Sequence, residues 1–171
     1  MKRILSSGAA VALACCIGAC QSPTTATAID VTLSAAPDPA PAVQSSGVTY
    51  TVTNADSTVT TYEYDWKTTF TVTVKENGGK ATEITAVDLK IQQASGGIVI
   101  TPSGGDKEYF RFNSSASGNH LNANGSASIG FDVWYDLPNK GREALVTVAL
   151  SFKDTAAGTT ASDSIQVKVA P

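Results

Sequence analysis

The sequence predicts an all-β domain, an antiparallel β-sandwich, and three observations predict it. Apolar and polar residues alternate with a period of two in several short runs, the signature of half-buried strands. Clusters of Gly, Asn, Ser and Pro separate those runs with turn chemistry. No amphipathic helical run of about ten residues appears after residue 20.

The strands follow in order. Ile29, Val31 and Leu33 alternate with polar residues and mark a first strand. The segment 35–41 carries Pro37, Pro39 and Pro41, which remove backbone donors, so it reads as a stiff connection or an edge. Val48, Tyr50 and Val52 alternate next. The clearest strand runs from Val59 to Lys75, with Trp66, Thr68, Phe70, Val72 and Val74 on one face and Lys67, Thr69, Thr71, Thr73 and Lys75 on the other. Tyr62 and Tyr64 share parity with Trp66 and fall in the core or at its rim. Asn77-Gly78-Gly79 offers the positive-φ residues of a hairpin turn, with Ile84 to Ile91 as the returning strand. Ile84 is even and Val87, Leu89 and Ile91 are odd, which predicts a bulge between them. Ile98 to Thr101 is a short run between Ser-Gly-Gly turns, and Phe110 with Phe112 marks another short strand. Residues 113–125 read as an exposed loop. Ile129, Phe131 and Val133 form the next inward set, and 145–153 with 164–169 form the last pair.

About seven to nine short strands at these spacings argue an immunoglobulin- or fibronectin-like sandwich over residues 28–171, with a closed barrel as the rival. Trp66 suits the core of such a domain. The cysteine pair of antibody domains is missing, because no cysteine follows Cys20, and no disulfide can form within the domain.

Residues 1–19 begin with Lys2 and Arg3, continue with an apolar run and end in small residues, which is the pattern of a secretory signal peptide. The run is shorter than the roughly 20 residues a membrane-spanning helix needs. It closes on Ile17-Gly18-Ala19-Cys20, which resembles the lipobox of bacterial lipoproteins. That resemblance implies cleavage after Ala19, lipid on Cys20 and attachment to the cell envelope. Gln21 follows in place of the Asp that resembles an inner-membrane retention signal, which favours the outer membrane where the host has one. Cys15 and Cys16 lie in poorer contexts. Residues 20–27 then read as a lipidated cysteine and a flexible tether. Removing Lys2 and Arg3 from twelve basic residues leaves ten against fifteen acidic ones, a net charge near −5. No basic cluster appears, so nucleic-acid binding lacks its electrostatic footprint.

The residues that could carry chemistry are few. His120 is the only histidine and lies in an Asn/Gly/Ser stretch without a nucleophile signature. One histidine and no cysteine beyond Cys20 cannot supply the usual zinc ligands, so no metal and no cofactor is expected. Asp132, Trp134 and Asp136 alternate on the face opposite Phe131 and Val133. The two carboxylates stand about 13 Å apart along a strand, too far to share one calcium or to form a retaining glycosidase pair. Asp106 and Glu108 could join one of them at a cation site. Trp134 points away from the aliphatic set; it is either an aromatic platform or is covered by the loop 106–125. Tyr109 is a further candidate aromatic.

In the final third, Gly118-Asn119-His120-Leu121-Asn122-Ala123-Asn124-Gly125, a strand, and then Gly141-Arg142-Glu143-Ala144-Leu145-Val146-Thr147-Val148 resemble uncharacterised envelope proteins of soil bacteria such as the acidobacteria, as does the block 66–91. The resemblance implies a fold and a location and carries no functional residue. The sequence therefore predicts a non-enzymatic, lipid-anchored envelope module with a protein or glycan partner, and Trp134, Tyr109, Asp132 and Asp136 as its candidate ligand contacts. A hydrolase with a carboxylate site and a carbohydrate-binding module with an exposed aromatic face are the alternatives.

Overall fold

The computed structural model describes residues 28–94, 99–100 and 109–171. Expectations for the signal segment, for Cys20 and the tether, and for Asp106 and Glu108 lie outside the described residues. The strands are β1 (Val31–Ala36), β2 (Ala40–Thr53), β3 (Val59–Glu76), β4 (Thr82–Gln93), β5 (Val99–Ile100), β6 (Phe110–Ala116), β7 (His120–Leu121), β8 (Ser126–Tyr135), β9 (Ala144–Asp154) and β10 (Thr160–Ala170). The described residues contain no helix.

The chain is all-β, folded as a curled mixed sheet in the order β5-β4-β9-β10-β2-β3-β8-β6, a half-barrel. β1 adds to β3, and β7 adds to β4. The expectation of an antiparallel sheet throughout fails at one joint, where β10 runs parallel to β2 through Val169↔Ala40 and Ala170↔Pro41. Pro41 sits where its missing N–H costs least, at the start of a strand with only a two-residue ladder beside it. The prolines thus break the edge between β1 and β2, and the chain passes from the β3 side to the β10 side there.

Alternation decides which face is buried. Phe70, Val72 and Val74 of β3 and Ile129, Phe131 and Val133 of β8 face Leu89 and Ile91 of β4, Val146, Val148, Leu150 and Phe152 of β9, and Val167 and Val169 of β10 across one core. Phe70 and Phe131 stack with ring centroids 5.3 Å apart. The predicted bulge in β4 falls between Ile84 and Ala86. Trp66 is only partly buried and packs against the core from its margin, because its neighbours in register are Tyr135 and Gln44, at the end of β8 and beside the β2 irregularity. The largest fully buried side chains are instead Tyr64, Tyr135, Phe70, Phe110, Phe131 and Phe152.

Two local expectations are corrected. Asn77-Gly78-Gly79 does not close a hairpin, since β3 pairs with β1, β2 and β8 while β4 pairs with β5, β7 and β9. Gly79 does take a positive φ of 70°, but the turn crosses the core. Periodicity shows where a strand stops, not which strand it joins. Residues 113–125 are not one exposed loop either: β6 continues to Ala116, and His120–Leu121 pairs with β4 while Leu121 is buried.

The crossover turn is held by two buried carboxylates. Glu76, fully buried, accepts hydrogen bonds from the backbone N–H groups of Gly78 (2.7 Å), Asn124 (2.8 Å) and Lys80 (3.1 Å). Burial pushes its carboxyl up, but backbone N–H groups of Asn124, Lys80, Gly78 and Gly79 outweigh burial and hold it below the usual range. Asp154 accepts from the N–H groups of Ala157 and Ala156 and pairs with Lys80 at 2.9 Å. The Ala157 N–H, the Lys80 ammonium and the Ala156 N–H lower its pKa to about 2. Asn77 N–H donates to Asp30 O at 2.8 Å, so the first described residues enter the domain at this end.

Candidate functional site

The structure separates the four candidate contacts into two pairs. Asp132 and Trp134 lie on the outer face of β8, as the alternation predicts, with β3 on one side and β6 on the other. In register, Trp134 stands between Lys67 of β3 and Arg111 of β6. The Lys67 ammonium lies 4.9 Å from the indole centroid and the Arg111 guanidinium 5.1 Å from it. Arg111 also lies 4.9 Å from the Tyr50 ring. Among the described residues these cations of adjacent strands flank the half-buried Trp134. Arg111 comes from the stretch 106–125 expected to cover it, in a strand and not in a loop, and residues 106–108 lie outside the described residues. Asp132 accepts from Lys67 at 2.8 Å and from Thr69 at 2.7 Å, and these two donors lower its carboxyl pKa. The row is therefore a set of residues that satisfy one another. Neither Lys67 nor Arg111 was singled out by the sequence. Their odd positions in alternating strands placed them on the outer face, but the pairing of β3 and β6 with β8 had to be known to bring them to Trp134.

Each exposed cation–π contact is worth about 0.5–1 kcal/mol. Trp134→Ala is expected to cost about 1–2 kcal/mol in a denaturant melt, from two such contacts and some packing.

Tyr109 and Asp136 come together at the far end of the same strands. β8 begins at Ser126, opposite Lys75 near the Glu76 turn, and ends at Tyr135, opposite Trp66. Asp136 follows directly, and its N–H donates to Tyr109 O at 2.7 Å. Tyr109, Asp136, Leu137, Pro138 and Lys140 line a cleft of about 290 Å³. Lys140 pairs with Asp136 Oδ2, and that contact raises the lysine pKa. Asp136 Oδ1 is buried and has no hydrogen-bond partner. The turn beneath is fixed by Lys140 N–H to Leu137 O at 2.7 Å, by Gly141 N–H to Asn139 Oδ1 at 2.9 Å, and by Tyr135 OH to Arg142 O. The sequence offered Tyr109 and Asp136 separately, 27 residues apart in number. Lys140 escaped notice because its role depends on the turn.

His120 is exposed and lies in β7 opposite Glu83 rather than in a loop. Its neighbour Asn119 donates to Glu83 Oε1 at 2.7 Å. Among the described residues no three His, Cys, Asp or Glu side chains are grouped to hold a metal ion.

No family model and no curated protein matches the chain. Among solved structures, a FixG-related protein from Vibrio parahaemolyticus is similar at 10% sequence identity, with a TM-score of 0.36 over 82% of this chain and 97% of that one.

Proposed function

We propose that this chain is a lipid-anchored module of the cell envelope that binds a partner and does not turn over a substrate. The observation that carries this reading is the position of the Tyr109–Asp136 cleft. The chain enters the domain beside Asn77, and the cleft lies beyond the other end of β8. Ten residues of strand separate the two, about 30 Å. An anchor on Cys20, joined through a flexible tether, would leave the cleft free to be presented away from the membrane. Two features favour binding over hydrolysis: Asp132 is engaged by Lys67 and Thr69, and Asp136 by Lys140. Cations reach Trp134 from the strands on both sides, which disfavours stacking of a sugar on its ring.

The architecture fits an immunoglobulin-like sandwich. β1 and β2, β3, β8 and β6 would form one sheet, and β5, β4, β9 and β10 the other, an order that parallels the two sheets of constant-type domains. The short β10–β2 joint would be the crossing between them.

Cell fractionation tests the anchor. Cys20→Ser is expected to move the protein from the membrane to the soluble fraction without changing its melting behaviour, since the lipid alone would hold it. Retention in the membrane as firm as that of the parent would place the anchor elsewhere. Ester, glycoside and peptide substrates are expected to show no turnover. An activity abolished by His120→Ala, Asp132→Asn or Asp136→Asn, in a variant that melts normally, would make the protein an enzyme.

A further inference from the structure

We infer that β6 is a self-pairing edge: two copies of this chain join antiparallel through residues 112–116, with Ser114 of each opposite Ser114 of the other. This ladder leaves Tyr109 and Asp136 outside it, so the inference goes beyond the cleft and does not depend on it. Its first support is the backbone. Asp136 N–H donates to Tyr109 O, and the register runs on through Arg111↔Trp134, Asn113↔Asp132 and Ser115↔Gly130. Antiparallel alternation turns the N–H and C=O groups of those three β6 residues toward β8, and those of Phe112, Ser114 and Ala116 to the other side. Among the described residues no strand lies on that side, and residues 113–116 are exposed.

The second support is the missing guard. Natural sheet edges carry charges, prolines or bulges that block pairing with another chain. Residues 112–131 contain no Asp, Glu, Lys, Arg or Pro, and β6 meets β8 without a shift of register. Other open stretches are guarded. β10 carries Asp163 and Lys168 where β2 does not reach it. β4 carries Asp88 and Lys90 between its contacts with β7 and β5. β2 is interrupted between Gln44 and Val48.

Self-complementarity then selects a second copy. The chain carries a net negative charge, so two copies meet most readily along a strip that has none. With Ser114 on the two-fold axis, Phe112 falls opposite Ala116 twice, and Asn113 opposite Ser115 twice. The pairs at 112, 114 and 116 each exchange two backbone hydrogen bonds. Phe112 packs against the core, so the even residues share the inner face, where large meets small; amide meets hydroxyl on the outer face. Ser114 and Ala116 also line an open hollow of about 210 Å³ with Ile84, Val87 and Ile129. Phe112 of the second copy, opposite Ala116, arrives beside it. The strip is short and buries less than the roughly 1,200 Å² of a stable complex, so the dimer is weak and reversible.

The test is sedimentation equilibrium of the full chain in density-matched detergent, up to about 1 mM, where a weak dimer is populated. The parent should self-associate. Ser114→Pro removes an N–H that faces the second copy and leaves the β8 ladder intact, and should weaken association about tenfold or more. Ser114→Asp and Ser114→Lys each set like charges face to face and should weaken it about threefold. An equimolar mixture of the two should associate at least about threefold more tightly than either alone, because only this register sets position 114 against itself. The charged pair keeps the test decisive if Ser114→Pro fails to fold. A parent that stays monomeric overturns the inference and leaves the edge to a strand of another protein. Undiminished association of a folded Ser114→Pro overturns it too, as does a mixture no tighter than its components. None of these outcomes bears on the anchor or on turnover, which fractionation and substrate assays judge.

Discussion

Phe131→Ala is expected to lower the stability of the domain by about 3–5 kcal/mol, the largest loss of any single substitution considered for this chain. Phe131 is 1% exposed and lies at the centre of β8, stacked on Phe70 and 6.4 Å from the Phe112 ring. Removing the ring withdraws a large apolar surface and leaves a cavity that neighbours fixed in paired strands cannot close. A domain of this size has only about 5–15 kcal/mol of total stability, so the variant should unfold at a much lower denaturant midpoint. Phe131→Leu should recover much of the loss by filling part of the space. A midpoint for Phe131→Ala within about 1 kcal/mol of the parent would mean that the core is not organised around this pair. Trp66→Ala should cost less, since Trp66 packs at the margin of the core and not within it.

Glu76→Ala is expected to cost about 2–3 kcal/mol for a different reason. The carboxylate closes the crossover from β3 to β4 and also takes the N–H of Asn124 from the loop before β8. Alanine leaves those part-buried donors without their acceptor, and hydrogen bonds to a charged group are the stronger kind. Glu76→Gln keeps an acceptor oxygen and should recover part of the loss. Equal midpoints for the parent and Glu76→Ala would show that the turn does not need the carboxylate.

The same knot sets the acid response. Asp154 titrates at about 2 in the folded protein, and Glu76 titrates below its usual value. In the unfolded chain both return to about 4. Groups with depressed folded pKa values bind protons first in the unfolded state as pH falls. Their contribution is therefore complete above about pH 5 and is lost progressively between there and pH 2. Denaturant midpoints measured from pH 7 down to 2.5 should fall over that window, and Asp154→Asn should flatten the fall while lowering stability at pH 7. A slope unchanged by Asp154→Asn would assign the acid response to other carboxylates.

The sequence by itself determined the class and the inward faces. Period-two alternation in 68–74, 129–133 and 146–152 identified side chains that the structure buries, because strand geometry sends alternate residues to opposite faces whatever the neighbours are; Trp66, on the same face, is only partly buried. The bulge after Ile84 was legible for the same reason, as a change of parity. The outward direction of Trp134 and Asp132 was also readable from β8 alone. What covers Trp134 was not, since Lys67 and Arg111 reach it only through the pairing of β3 and β6 with β8. Strand partnership likewise stayed hidden at Asn77-Gly78-Gly79, where the residues that suit a hairpin suit a crossover equally well. Nothing in the sequence marked Glu76, because its partners are backbone N–H groups, which leave no pattern among side chains. Only the tertiary structure joined Tyr109 to Asp136 and set Lys140 over the carboxylate. That constellation depends on where β8 stops and how the following turn closes, and turn geometry is settled by hydrogen bonds between residues that no local pattern pairs.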